Sequence, residues 1–212
     1  MRHRVVVLLD LDVIIEPGLA FLPFGVDVGL DRQRLQRRLL DRLEQGLALS
    51  ARTQYYGAIL FIDLDHFKNL NDTRGHEAGD QLLIQQARRL VRCVREGDTV
   101  ARLGGDEFIV LVEHAEGLAP LERLADGIVT AFRRPLAVAG RELLVSVSVG
   151  VSVLPAHARD ATALARAADA ALFRAKSQGR NRVGVFTPDL FAGTASRFRM
   201  EQALRRAIEA RD

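Results

Sequence analysis

"RLGGDEFIVL", from Arg102 to Leu111, decides the architecture. Two adjacent glycines make a turn, two acids follow, and the apolar run after them reads as a buried strand. With "DTVARL" (98–103) ahead of it and "EFIVLVE" (107–113) behind, Gly104-Gly105 forms the turn of a β-hairpin. "GAILFIDLD" (57–65) is a second short apolar run that ends in acids, and it also reads as a buried strand. If the two are neighbours, Asp63, Asp106 and Glu107 converge at one end of a sheet. Carboxylates held together repel unless a cation neutralises them. A hard divalent ion with oxygen ligands answers that need, and magnesium completes its shell with water and substrate phosphates. Gly104 and Gly105 let a phosphate approach the backbone closely. Two aspartates near a metal pair suit in-line phosphoryl or nucleotidyl transfer. A solvated turn bearing acids reads the same way from this stretch alone.

Further elements follow from periodicity. "DRQRLQRRLLDRLEQGLAL" (31–49) sets Leu35, Leu39, Leu43 and Leu47 four residues apart, an amphipathic helix. Asn71, Asp72 and Gly75 mark a loop, and "HEAGDQLLIQQARRLVRCVRE" (76–96) returns to helical spacing. A helix is expected over about 117–132, an alternating strand over 141–154, a helix over 160–179 closed by Gly179, and a last strand over 180–186. "SRFRMEQALRRAIEAR" (196–211) predicts a terminal amphipathic helix. Strands mixed with helices, and at least one hairpin, predict an α/β or α+β fold with a mixed sheet.

Composition bounds the function. The chain has 212 residues, 48% hydrophobic and 27% charged, which suits a soluble domain with a large core. A net charge of +3 is too small to indicate nucleic acid as a partner. One cysteine, Cys93, rules out an internal disulfide and fits a reducing compartment. "MRHRVVVLLDLDVII" (1–15) mimics a signal peptide, but Asp10, Asp12 and Glu16 interrupt the pattern. It is too short and too charged to span a bilayer, and a strand or loosely packed leader is expected. "LLDLD" (8–12) echoes "FIDLD" (61–65) by chance. With no membrane segment, the expected location is cytoplasmic. Lys68 and Lys176 are the only lysines against 28 arginines, so each marks a place where a compact ammonium is wanted.

Several blocks in a fixed order carry a family resemblance. "FIDLDHFKNLNDTRGHEAGDQLL" (61–83), "REGDTVARLGGDEF" (95–108), "SVSVGVS" (146–152) and "AADAALFRAKSQGRNRV" (167–183) together resemble the GGDEF family of diguanylate cyclases. These enzymes condense two GTP into cyclic di-GMP. The resemblance covers about Tyr56 to Phe186 and implies a polymerase-palm-like fold with a mostly antiparallel central sheet flanked by helices. It implies that Asp63, Asp106 and the carbonyl of Leu64 ligate Mg²⁺ or Mn²⁺, and that Glu107 serves as base or metal organiser for the attacking 3′-hydroxyl. Asn71 and Asp80 match residues that read the guanine edge, with His76 in the same pocket. Lys68, Lys176 and Arg180 match phosphate-binding positions, so both lysines fall on that set. Arg95 and Asp98 match an RxxD inhibitory site for cyclic di-GMP, implying product feedback. A homodimer is implied for catalysis.

Two departures stand beside the resemblance. The family's opening D-x-L-T-G-L-x-N-R segment is replaced by "FGVDVGLDRQRLQRR" (24–38), in which only Gly29-Leu30 corresponds. The tail "VFTPDLFAGTASRFRMEQALRRAIEARD" (185–212) resembles the connector between a GGDEF domain and an EAL phosphodiesterase domain. The expected organisation is a divergent segment over 1–28, the GGDEF domain over 29–186, and a connector over 187–212. A second reading follows: a non-catalytic module that binds GTP or cyclic di-GMP and regulates a sensor or EAL-domain partner. A third, another palm-type nucleotidyl cyclase or polymerase, shares the metal logic, but Asn71 and Asp80 argue against it.

Overall fold

Tyr56–Leu64 is so apolar because it has no solvated face: it lies between two other strands and is buried almost throughout. The computed structural model describes residues 6–10, 26–30, 41–48, 52, 55–138, 140–158 and 160–190, with 6–10 and 26–30 as backbone only. In chain order these form β1 (Val6–Asp10), β2 (Val26–Leu30), helix α1 (41–48), β3 (Tyr56–Leu64), α2 (Phe67–Arg74) and α3 (His76–Cys93). Then come β4 (Thr99–Gly104), β5 (Glu107–Ala115), α4 (Leu118–Phe132), β6 (Leu136–Val138), β7 (Arg141–Leu143), β8 (Val147–Leu154), α5 (Ala161–Ser177) and β9 (Val183–Val185).

Seven strands form one sheet in the order β2-β1-β4-β5-β3-β8-β9. Its four central strands are antiparallel, as expected, while β1, β2 and β9 join at the edges in parallel. Alternation along β3 divides the core. Ala58, Leu60, Ile62 and Leu64 face the layer of α3 and α4, with Leu82, Leu90, Ile128 and Phe132. Ile59 faces the layer of α1 and α5, with Leu43, Leu164 and Ala168. Leu43 and Leu47, the described part of the predicted leucine stripe, pack against the sheet, while Leu35 and Leu39 lie outside the described residues. At Gly150 of β8, α5 comes so close that an added Cβ would collide with the carbonyl of Ala168 and the amide of Leu172.

Two expectations change. The loop expected around Asn71-Asp72 is helix to Arg74, and Gly75 (φ 83) alone breaks the chain. Phe67 is buried and Leu70 packs on the core, so tertiary packing outweighs the turn preference of Asn-Asp. The strand expected over 141–154 is two strands. β7 turns back through Gly140 (φ 73) onto β6 as a separate small hairpin, and only β8 enters the main sheet. β2 spans the residues on either side of the expected boundary at 28/29 and joins the main sheet through β1. The helix expected over 196–211 lies outside the described residues.

Candidate active site

β3 delivers its first acid where the apolar run stops. Asp63 is 7% exposed and stands directly opposite Glu107 in the β3–β5 ladder. The adjoining turn is stitched to the strand end by the Leu64 amide, which donates to the Asp106 carbonyl at 3.3 Å. Gly105 adopts φ 56, a left-handed conformation that costs glycine nothing. A Cβ added to Gly104 or Gly105 would meet nothing within 4 Å, so the space over the turn is open to a ligand. Arg102 holds the turn from behind: Nε and Nη2 donate to the Gly105 carbonyl at 3.0 and 2.8 Å. Sequence reasoning missed this arginine, because its role depends on the turn's carbonyl pointing back at β4.

Lys176, in the last turn of α5, reaches Asp63 with Nζ 2.6 Å from Oδ2. Burial nevertheless raises the Asp63 carboxyl above the ordinary aspartate range; Lys176 opposes the rise, and Asp106 and Asp65 add to it. Glu107 is raised too, first by burial and then by Asp63 and Asp106. The three acids thus converge and repel, as the sequence predicts, with one lysine among them. Among the described residues no three His, Cys, Asp or Glu side chains form a ready metal cage. The donors expected from the sequence, the carboxylates of Asp63 and Asp106 and the Leu64 carbonyl, are all hard oxygens. That set fits a magnesium-like ion, which takes few protein ligands and the rest from water and phosphate.

The α2–α3 corner carries the other expected residues. Asn71 has its Oδ1 buried without a hydrogen-bond partner, a costly state for an acceptor and one that a ligand N–H would satisfy. Gly79 packs so tightly against it that any side chain there would strike Oδ1. Asp80 is half-buried on the next position of α3, while His76, at the helix start, and Lys68, on α2, are exposed. Arg180 is exposed just past α5, at φ 61, with its amide donating to the Ala175 carbonyl at 3.1 Å.

Asp65 was not singled out from the sequence. It is 5% exposed and accepts from Ser146 Oγ and Ser148 Oγ, each at 2.7 Å, and from the Asn181 amide at 3.0 Å. Its partners lie 81, 83 and 116 residues away, so no local signal could have found them.

Arg95 and Asp98 sit apart, at the far end of β4 from the glycine turn, about 20 Å away by strand rise. The Arg95 amide donates to Asp98 Oδ2 at 3.1 Å, and its guanidinium lies 3.7 Å from Oδ1. Arg95 is exposed and Asp98 buried, and burial pushes the Asp98 carboxyl up to about 6. A larger groove, about 720 Å³, lies away from the carboxylates between α3 and α4 and is lined by Arg88, Arg89, Arg92 and Arg134. Arg89 is committed there to main-chain carbonyls of Arg134 and Pro135.

Comparison with known proteins agrees with this fold. Residues 35–182 match the family described as "Diguanylate cyclase, GGDEF domain". The bifunctional diguanylate cyclase/cyclic di-GMP phosphodiesterase MucR of Pseudomonas aeruginosa is 39% identical over 180 residues, 84% of this chain and 26% of MucR. The cyclic di-GMP phosphodiesterase PdeR of Escherichia coli is 38% identical over 71% of this chain and 23% of its own length. The chain thus spans about a quarter of these two relatives. A solved structure comprising only the GGDEF domain of TpbB (YfiN) from Pseudomonas aeruginosa superposes with a TM-score of 0.74 at 35% identity, covering 76% of this chain and 94% of that one.

Proposed function

The chain belongs to the GGDEF family of diguanylate cyclase domains, and from that membership we propose that it condenses two GTP into cyclic di-GMP and pyrophosphate. The observation that carries the reading is the hairpin tip. It sets Asp106 and Glu107 beside the buried Asp63, with Lys176 2.6 Å from Asp63 and open space over two glycines. Asn71 and Asp80 accept from the guanine N–H groups, with His76 lining the pocket; the unpartnered Oδ1 of Asn71 supports that assignment. Lys68, Lys176 and Arg180 hold the triphosphate. Asp63, Asp106 and the Leu64 carbonyl would hold Mg²⁺ or Mn²⁺, which supplies charge neutralisation at the reacting phosphate. Glu107 takes the proton from the 3′-hydroxyl, a task its raised pKa suits.

Two domains meet head to head, and each 3′-hydroxyl attacks the α-phosphorus of the other GTP. Juxtaposition of two bound substrates supplies much of the rate. Cyclic di-GMP feeds back at Arg95 and Asp98. The cytoplasm, where GTP is available, is the compartment this reading implies. The alternative is a non-turnover module that binds GTP or cyclic di-GMP and regulates an EAL-domain partner. It draws support from the replaced opening segment at 24–38 and from a relative named as a phosphodiesterase.

Turnover decides between them. Purified chain stripped of nucleotide is given GTP and Mg²⁺, and cyclic di-GMP is quantified by chromatography and mass, beside an Asp106→Ala, Glu107→Ala double variant. The expected result is product from the parent and a loss of more than about a hundredfold in the variant. GTP bound but no product from the parent, even at high protein concentration, would establish the regulatory module.

A further inference from the structure

Resting on the GTP-binding reading above, we propose that Asp65 is the positioning residue for the triphosphate: it fixes the turn after α5 that carries Arg180 and that follows directly on Lys176. Asp65 does not face the open space over the glycines. It is buried behind the strand end and gathers three donors from two other segments: Ser146 and Ser148 at the entry to β8, and the Asn181 amide in the α5–β9 turn. Three hydrogen bonds occupy the acceptor oxygens of one buried carboxyl group.

What it holds is a segment with an unusual backbone. Arg180 and Asn181 are consecutive non-glycine residues at φ 61 and φ 50, both left-handed, a conformation that asparagine tolerates and that is costly for Arg180. Such conformations persist where surroundings over-determine them, and they cluster at ligand clamps. Here the surroundings are explicit. Asp65 takes the Asn181 N–H from inside, while Arg133 donates to Asn181 Oδ1 at 3.1 Å and to its carbonyl at 3.2 Å from outside. Arg180 lies between that gripped residue and the α5 terminus that carries Lys176.

The same strand end supplies both halves of the device. Asp63, near the end of β3, pairs with Lys176, and Asp65, in the turn just beyond the strand, pins the turn that follows α5. A single β3 terminus therefore sets the carboxylates and the phosphate-binding cations in one frame.

The test separates phosphate recognition from guanine recognition. Affinities for GTP and for guanosine are measured by calorimetry and NMR titration on the full chain, with thermal melting as a fold control. Asp65→Asn swaps an acceptor for an amide donor that faces three donors. It is expected to weaken GTP binding at least tenfold while guanosine binding changes less than twofold. Arg133→Ala, on an exposed residue, is expected to weaken GTP by about threefold with guanosine unchanged. Asp65→Glu, which keeps the charge and acceptors, should restore part of the GTP affinity.

Equal losses for GTP and guanosine would make Asp65 merely structural and overturn the inference. Unchanged GTP affinity in Asp65→Asn would do the same. Should Asp65→Asn not fold, Arg133→Ala decides alone, and no change in its GTP affinity overturns the inference. A parent chain that binds no GTP would instead sink the nucleotide reading itself, a distinct outcome from a parent that binds while the variants behave as wild type.

Discussion

Asp98 shows how one buried carboxyl ties pH to stability. Its folded value of about 6 lies above the ordinary 3.8, because burial disfavours the anion more than Arg95 favours it. The fold therefore binds this proton more tightly than the unfolded chain does. The resulting stability is fully present below pH 3.8 and is lost as pH rises through about 6. Asp98→Asn keeps an acceptor for the Arg95 amide and cannot ionise. Melting curves from pH 4 to 8 should show this decline in the parent and not in the variant, with the variant more stable at pH 7.5 by about 1–3 kcal/mol. A parallel decline in both would show that other groups set the slope. Gly79 offers a second residue-scale test. Gly79→Ala drives a methyl into Asn71 Oδ1, so the amide proposed to read guanine must move. GTP affinity is expected to drop about tenfold or more while thermal stability drops far less than a core mutation would cause; unchanged affinity would remove Asn71 from the base pocket. Asp63, Asp106 and Glu107 were legible in the sequence because acids that terminate apolar runs around a Gly-Gly turn are a local pattern. Asp65 and Arg102 were not, since each acts through a backbone or serine partner that only the folded sheet brings near.

Between elements, the tightest fit is α5 on β8. Gly150 is there because the helix backbone lies where a Cβ would be, and backbone cannot step aside as a side-chain tip can. Gly150→Ala is expected to cost about 3 kcal/mol, the upper part of the overpacking range, and to lower Tm by about 6–12 °C. A change below about 2 °C would mean that α5 shifts at little cost, and Lys176 would then be loosely placed. Element type was readable wherever one period ran long: leucines at four-residue steps near Leu43, the unbroken apolar run of β3, and the alanine-rich α5 closed at Gly179. The failures share a cause. α2 is only eight residues and is helical because Phe67 is anchored in the core, which no propensity at Asn71-Asp72 reveals. The alternation from Arg141 to Leu154 is continuous in sequence. A hairpin partner at Leu136–Val138 nonetheless captures its first part, and pairing choice is a non-local property.

At the scale of the whole molecule, the described residues bring together one set of carboxylates, one α2–α3 corner proposed to read guanine, and the two lysines proposed to bind phosphate. The proposed reaction needs two GTP with each 3′-hydroxyl facing the other's α-phosphorus, so one domain can bind substrate but cannot complete the product. The sheet is consistent with that division, because the glycine turn lies at one open end of β4 and β5 rather than in an enclosed cavity. Turnover should therefore follow the concentration of a dimer. Well below the dimerisation constant, dimer concentration rises with the square of total protein, and a tenfold increase in protein should raise specific activity about tenfold before it levels off. GTP binding per chain, measured over the same dilution series, should stay constant, since each half-site is built within one domain. Specific activity that is flat across the whole series, with sedimentation showing monomer throughout, would mean that one chain turns over alone, and the head-to-head arrangement would have to be abandoned.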